Sequence, residues 1–304
     1  MPPRPGAEAR LFSTGVLNVD KAAGETSFAV VSRLRRLTRA NRVGHAGTLD
    51  PLATGVLPIV FESATRLAEF ALRLAKTYVA DIHFGYTTPT DDAEADREAV
   101  GDPSGLTEEA VREALGAFSG RILQEPPAFS AVKVGGKRAY KLARSGAATR
   151  PNAREVEVYE ARLLDFQPGA DAVARVEIRC GSGTYLRSIA RDLGTNLGVG
   201  GYLGRLVRTA YGTLTIESAV PSAELVTVEQ VRDRLLPAEV ILPDMELVRL
   251  SVEQEAAVRQ GRPVRVLPEP GPGLIRAHDQ GGRLIALGHT DPLRRTFVPE
   301  KVLS

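Results

Sequence analysis

The apolar pattern of this chain switches between strand and helix periods with no steady βαβ alternation. Such an order favours an α+β architecture over a doubly wound parallel sheet. Gly15–Asp20 reads as a first strand, and Ser27 is placed to cap a helix whose apolar residues Phe28, Val31, Leu34 and Leu37 recur at helical spacing. Strands are expected at Val56–Phe61 and Tyr78–Phe84, with a helix through Ala64–Leu74 between them. Residues 87–105 are acidic and loop-like, and Thr107, followed by Glu108 and Glu109, opens a helix to Phe118. Further strands are expected at Val156–Phe166, Ala172–Cys180 and Gly212–Ile216. A helix over Tyr185–Leu193 is stopped by Gly194, and another opens on the capping box of Thr227 and Gln230. A boundary falls near Pro243. Beyond it, Ser251 and Gln254 cap a helix ending at Gly261, and short strands lie around Arg265, Leu274–Ala277, Leu284–Gly288 and Phe297–Val298. That module is near the lower size limit for independent folding.

A length of 304 residues suits two domains, and 43% hydrophobic content suffices for a sizeable core. No apolar stretch is long enough to span a bilayer. The start, Met1 to Gly6, lacks the apolar segment of a signal peptide and reads as a loose tail. The single cysteine, Cys180, excludes an intrachain disulfide and fits a reducing cytoplasm; it reads as a small buried strand residue. His45, His83, His278 and His289 have no zinc-like spacing, so no metal site is expected. Gly181-Ser182-Gly183 lacks the third glycine of a dinucleotide loop, and neither a Walker loop nor a serine-hydrolase elbow occurs. With no cofactor signature, any chemistry runs on side chains.

The run Gly44-His45-Ala46-Gly47-Thr48-Leu49-Asp50-Pro51-Leu52-Ala53-Thr54-Gly55 is polar, rich in small residues and flanked by apolar segments. Its carboxylate, Asp50, has two readings: a plain turn residue before proline, or a reactive group on a loop between rigid elements. Asp50 has no close acidic neighbour in sequence. Arg187, at a strand-to-helix junction, is a candidate partner able to hold a buried carboxylate ionised, or else a surface arginine. Tyr78 heads a strand and by itself reads as a half-buried strand tyrosine; His45 by itself reads as structural or solvated. The formal charge is only +2, so basic clusters carry the argument about nucleic acid. Arg35, Arg39 and Arg42 share one helix face. Lys133, Lys137, Arg138, Lys141 and Arg144 crowd a central segment with Phe129 and Tyr140. Arg205 with Arg208 and Arg294 with Arg295 complete the set. These clusters fit phosphate binding, with aromatics available to stack on RNA bases.

Five segments together resemble the bacterial tRNA pseudouridine synthase B family: Gly15-Val16-Leu17-x-x-Asp20-Lys21, His45 to Gly55, Lys76-x-Tyr78, Pro126-Pro127-x-Phe129-Ser130-Ala131-x-Lys133 and Gly183-Thr184-Tyr185-Leu186-Arg187. They occur in the family's order, and the resemblance covers about Gly15 to Arg208. It implies a catalytic domain over residues 13–243 on a mixed, mainly antiparallel sheet with flanking helices. It further implies a disordered tail over 1–12, a thumb-like RNA-binding insertion over 126–154 and a β-rich PUA-type RNA-binding domain over 244–304.

The implied reaction is the isomerisation of uridine 55 in the T-loop of tRNA, without cofactor, in the cytoplasm. The implied protein is a monomer that binds the T-arm and needs no obligatory protein partner. Carried over by residue, Asp50 is the catalytic carboxylate, Arg187 pairs with it, and Tyr78 stacks on the flipped base and serves in deprotonating C5. Tyr185 and Leu206 line the pocket, and His45 holds the T-loop with its target base everted. Lys133, Lys137, Arg138, Lys141 and Arg144 clasp the T-stem backbone. The chain departs from the family at Phe129, where tyrosine is frequent, and at Pro89 and Ala95, where aspartate and glycine are common; the acidic loop is therefore given no RNA contact.

Overall fold

The computed structural model describes residues 12–130, 132–134, 137–139, 151–266, 273–291 and 295–303. The first strand, β1 (Gly15–Lys21), leads to helix α1 (Ser27–Thr38), the short β2 (Val43–His45) and β3 (Thr54–Phe61). A 3₁₀ turn over Glu62–Leu67 and a one-turn helix α2 (Ala68–Ala71) stand where a single helix is expected. Then come β4 (Lys76–Phe84), a small hairpin of β5 (Tyr86–Thr87) and β6 (Glu98–Ala99), α3 (Glu108–Gly116) and β7 (Gly120–Gln124). A hairpin of β8 (Lys133–Val134) and β9 (Lys137–Arg138) precedes β10 (Arg154–Gln167), β11 (Val173–Cys180), α4 (Leu186–Asn196) and β12 (Gly201–Tyr211). Two short strands, β13 (Leu214–Thr215) and β14 (Val220–Pro221), and α5 (Val228–Arg232) complete this part.

Ten strands form one mixed sheet in the order β14-β1-β3-β12-β4-β11-β10-β7, with β2 on β3 and β13 on β12. Strand alternation sends Leu57, Ile59 and Phe61 to one face and Val56 and Val60 to the other. The first face is covered by α1, α3 and α4 through Val30, Leu34, Val111, Leu115, Ile189 and Leu193. The second is covered by the 62–71 segment and by a further sheet. That sheet contains β15 (Leu247–Arg249), β16 (Val264–Arg265), β17 (Leu274–His278), β18 (Leu284–Asp291) and β19 (Thr296–Val302), ordered β15-β17-β18-β19-β16, with helix α6 (Val252–Arg259) beside it. It has its own core around Leu250, Ile275, Ile285 and Phe297, while Leu284, Leu287 and Leu303 pack on the second face of the large sheet.

Several expectations are corrected. The cap of α1 is Thr26, and Phe28 is 74% exposed because the buried stripe runs through Ser27, Val30, Val31, Leu34 and Thr38. Gly194 does not stop its helix: α4 continues to Asn196, and a Cβ on Gly194 would lie 2.2 Å from the backbone of Gly200. The glycine thus permits a close crossing of chain over helix. The expected strand at Gly212–Ile216 is only its short tail, β13; the principal strand is β12, immediately before it. Phe12, placed in the tail, is buried against Phe61 at 4.9 Å between ring centres. Residues 1–11 lie outside the described residues.

Candidate active site

The sheet forks at β3. One edge of β3 pairs with β1 throughout; the other pairs with β12 at Thr54 and Gly55 and with β2 from Ile59 to Phe61. The loop carrying Asp50 emerges from this fork. Gly55 has φ +99°, and a Cβ there would lie 2.3 Å from the carbonyl oxygen of Arg208, so the crossing of β3 and β12 demands glycine.

Buried donors hold the loop by its backbone. Arg208, 1% exposed, donates to the carbonyls of Val56 (2.6 Å), Gly47 (3.2 Å) and Thr48 (3.4 Å). It therefore does not belong to the phosphate-facing basic set in which sequence clustering placed it; Arg205 beside it is exposed. Lys21, fully buried, donates to Ala22, Glu25 and Pro51 carbonyls. Ser27 Oγ both accepts from Leu49 N–H (2.9 Å) and donates to Leu49 C=O (3.0 Å). Asp20 accepts from Gly55 N–H at 3.1 Å. Asp50 is left with its side chain 40% exposed at the tip.

Arg187 lies on the first turn of α4, buried. Its guanidinium meets Asp50 Oδ2 at 2.9 Å and Asp92 Oδ2 at 3.3 Å, and donates to the carbonyls of Thr90 (3.2 Å) and Phe129 (3.1 Å). Asp92 is itself held: its Oδ1 accepts from Thr90 Oγ1 at 2.6 Å and from Glu94 N–H at 3.0 Å. One turn further along α4, Arg191 pairs with Asp91 at 2.9 Å inside the protein. The segment read as acidic and loop-like thus turns two aspartates inward to two arginines. Desolvation, then the charges of Asp92 and Asp50, raise the Glu94 carboxyl above its ordinary range. The missed signal was the pair Arg187 and Arg191 at i, i+4 beside Leu186, Ile189, Ala190 and Leu193: two cations on a buried helix face require buried anions.

A cavity of about 470 Å³ opens over Asp50. Its lining includes Asp50, Tyr78, Arg187, Tyr185, Leu206 and Phe129. Tyr78 lies directly across from Arg208 on β12 and from Ile178 on β11. Burial raises its phenol above the ordinary value, opposed by Arg208. Tyr185 precedes α4; its backbone exchanges two hydrogen bonds with Gln124 (2.8 and 3.1 Å), and the Arg154 guanidinium stands 5.0 Å from its ring. Phe129 meets the site through its carbonyl, a contact indifferent to the missing tyrosine hydroxyl.

His45 is not brought to the cavity. It stands on β2 opposite Ile59, with Nδ1 buried and unpartnered among the described residues; burial and then Arg208 hold its imidazole below the usual value. Lys133, Lys137 and Arg138 lie in the β8–β9 hairpin, and Lys141 and Arg144 lie outside the described residues. Cys180 is buried on β11, where burial pushes its thiol up to about 11. Among the described residues no helix is long and apolar enough to cross a membrane.

Comparison with known proteins gives the family of the chain. A family model described as TruB family pseudouridylate synthase (N terminal domain) matches residues 35–186. Proteins named tRNA pseudouridine synthase B are similar over nearly the whole chain. The one from Synechococcus elongatus is 46% identical over 91% of this chain and 95% of its own length; that from Thermobifida fusca is 43% identical over 91% and 94%. Among solved structures, a chain of an H/ACA ribonucleoprotein bound to a substrate RNA containing 2'-deoxyuridine superposes with TM-score 0.71 at 26% identity, covering 99% of this chain and 88% of that one. A chain of the archaeal box H/ACA Nop10-Cbf5 complex gives 0.69 at 26%, covering 95% and 85%. On this identity and coverage, the chain belongs to the TruB family of pseudouridylate synthases.

Proposed function

We propose that this chain isomerises uridine 55 in the T-loop of tRNA to pseudouridine, without cofactor, with Asp50 as the catalytic carboxylate. The observation that carries the reading is the Asp50–Arg187 pair at 2.9 Å, with Asp50 open to the cavity and Arg187 buried behind it. The family and the names of the relatives supply the reaction class and the tRNA substrate.

A base inside a stacked loop is out of reach, so the uridine is flipped into the cavity at a cost of a few kcal/mol. Stacking on Tyr78 returns roughly 1–3 kcal/mol. Arg187 pairs with the Asp50 carboxylate from behind and fixes its direction toward the flipped nucleotide. Asp50 then promotes cleavage of the C1′–N1 bond, the uracil turns in place, and C5 joins C1′ as its proton is lost. Tyr185 and Leu206 confine the ring during the turn. His45, one strand away, acts on the T-loop from outside the cavity.

In this reading residues 13–243 form the catalytic unit, 126–154 a thumb on the T-stem carrying Lys133, Lys137, Arg138, Lys141 and Arg144, and 244–304 a PUA-type RNA-binding unit. The protein acts in the cytoplasm as a monomer without an obligatory protein partner. The likeness to H/ACA chains supports a second reading, in which guide RNA and partner proteins are required. One experiment separates the two: incubate the purified chain with an unmodified T-arm minihelix and map pseudouridine. Conversion at position 55 by the chain acting on bare RNA is the expected result; conversion only after addition of a guide ribonucleoprotein favours the second reading, and none in either case refutes both.

A further inference from the structure

The roles set out above leave Lys76 unused. It stands two residues before Tyr78 on β4, so both side chains leave the same strand face, and both line the cavity. Lys76 is 5% exposed. Its Nζ donates to the Leu72 carbonyl at 2.7 Å and to Ser182 Oγ at 3.3 Å, and lies 4.8 Å from the centre of the Tyr211 ring. All three partners are neutral. The nearby Cys180 thiol is neutral as well, and the neighbouring guanidinium of Arg208 repels the ammonium. Among the described residues no carboxylate pairs with Lys76. Lys21, the other lysine buried among the described residues, differs on both counts: Glu25 and Asp50 offset its burial, and it does not line the cavity.

A buried ammonium without a counter-charge is costly, and a cavity wall is where such a charge can meet an anion that forms during reaction. Burial, then Arg208, lowers Lys76 to about 8, so it is cationic at neutral pH yet readily answers a new negative neighbour.

We propose that Lys76 is a catalytic residue of the isomerisation, its ammonium donating a hydrogen bond to the uracil ring while that ring is detached from the ribose and negatively charged. The inference rests on reading the cavity as the site of the flipped uridine. In the step, the C1′–N1 bond breaks with its electron pair remaining on the ring, spread over N1, O2 and O4. C1′ takes a bond from an Asp50 carboxylate oxygen. After the ring turns, a pair from C5 forms the C5–C1′ bond, the Asp50 oxygen leaves with its own pair, and the C5 proton passes to the freed carboxylate. Lys76 keeps its proton throughout.

The test uses leaving-group chemistry. Fluorine at C5 makes the ring a better leaving group, so stabilisation of the detached anion matters less. Single-turnover rates of C1′–N1 cleavage are measured on minihelices carrying uridine or 5-fluorouridine at position 55, for wild type, Lys76→Met and Lys76→Arg, with minihelix affinity measured alongside. Lys76→Met is expected to slow the uridine substrate by roughly 10²–10³-fold, with affinity within about threefold and a loss at least about tenfold smaller on 5-fluorouridine. Lys76→Arg, which keeps the charge, is expected to retain most of the rate. Equal losses on both substrates, or a loss confined to affinity, would assign Lys76 a structural role and overturn the inference. Should Lys76→Met not fold, Lys76→Gln, which keeps a donor while removing the charge, supplies the same comparison. Failure of the wild type to convert uridine would instead overturn the functional reading.

Discussion

Arg208 and Arg187 are both buried guanidiniums at the same cavity, yet their partners differ in kind. Arg208 is satisfied by the carbonyls of Gly47, Thr48 and Val56, so it fixes where the Asp50 loop runs. Arg187 donates to the carbonyls of Thr90 and Phe129 too, but it also meets two carboxylates, those of Asp50 and Asp92, so it sets the charge balance of the site. Side-chain exposure of the two acids completes the contrast: Asp92 is 1% exposed and serves as a fixed counter-ion, whereas Asp50 is 40% exposed and can meet a substrate. One arginine builds the loop; the other prepares its carboxylate.

Breaking the first arrangement should cost the most stability. Arg208→Met leaves the buried Val56 carbonyl and the part-buried carbonyls of Gly47 and Thr48 without their donor and is expected to lower unfolding stability by roughly 3–5 kcal/mol in urea titrations. Breaking the second should strike the rate hardest. Arg187→Met is expected to cut the single-turnover rate by about 10²–10³-fold, near 3–4 kcal/mol. It should also lose stability, because Asp92 becomes an unpaired buried charge. Adding Asp92→Asn should restore that stability without restoring the rate; if it restores both, Arg187 does not act on Asp50.

A third test concerns Lys76, whose burial is offset by no anion. Its folded-state value, about 8, lies below the ordinary 10.5, so the unfolded chain binds more protons between those values. Stability relative to Lys76→Met should therefore rise with pH, by about 2–3 kcal/mol from pH 7 to pH 10, as the cost of the buried charge is relieved. A flat difference across that range would contradict the assignment of an unpaired ammonium. The smallest effect is expected at the fork. Gly55→Ala should cost about 1–3 kcal/mol, through the positive φ and the crowding against the Arg208 backbone.

Local signals in the sequence carried much of this arrangement. Both capping boxes form as written, Thr227 with Gln230 and Ser251 with Gln254. Cys180 is the small buried strand residue that its surroundings suggested. The loop around Asp50, its partner Arg187 and the pocket residues Tyr78, Tyr185 and Leu206 do meet at one cavity. What escaped depends on contacts between distant segments. Strand β12 was not recognised because Gly201, Gly204, Arg205 and Arg208 interrupt its apolar alternation, and Arg208 is buried only because the fork of β3 offers it carbonyls. The inward turn of Asp91 and Asp92 left no mark in their own acidic, loop-like segment, because the arginines that neutralise them lie on α4. Gly194 looked like a helix end because its real cause, the crossing of Gly200, has no local trace.

In the proposed reaction Asp50 performs chemistry and is not needed merely to hold RNA. Asp50→Asn keeps the size and shape of the side chain while removing its charge. Affinity for unmodified tRNA and pseudouridine formation at position 55 should be measured on the same preparation of this variant. Affinity close to that of wild type with no pseudouridine formed is the expected result; turnover retained at a rate near wild type would contradict a chemical role for Asp50.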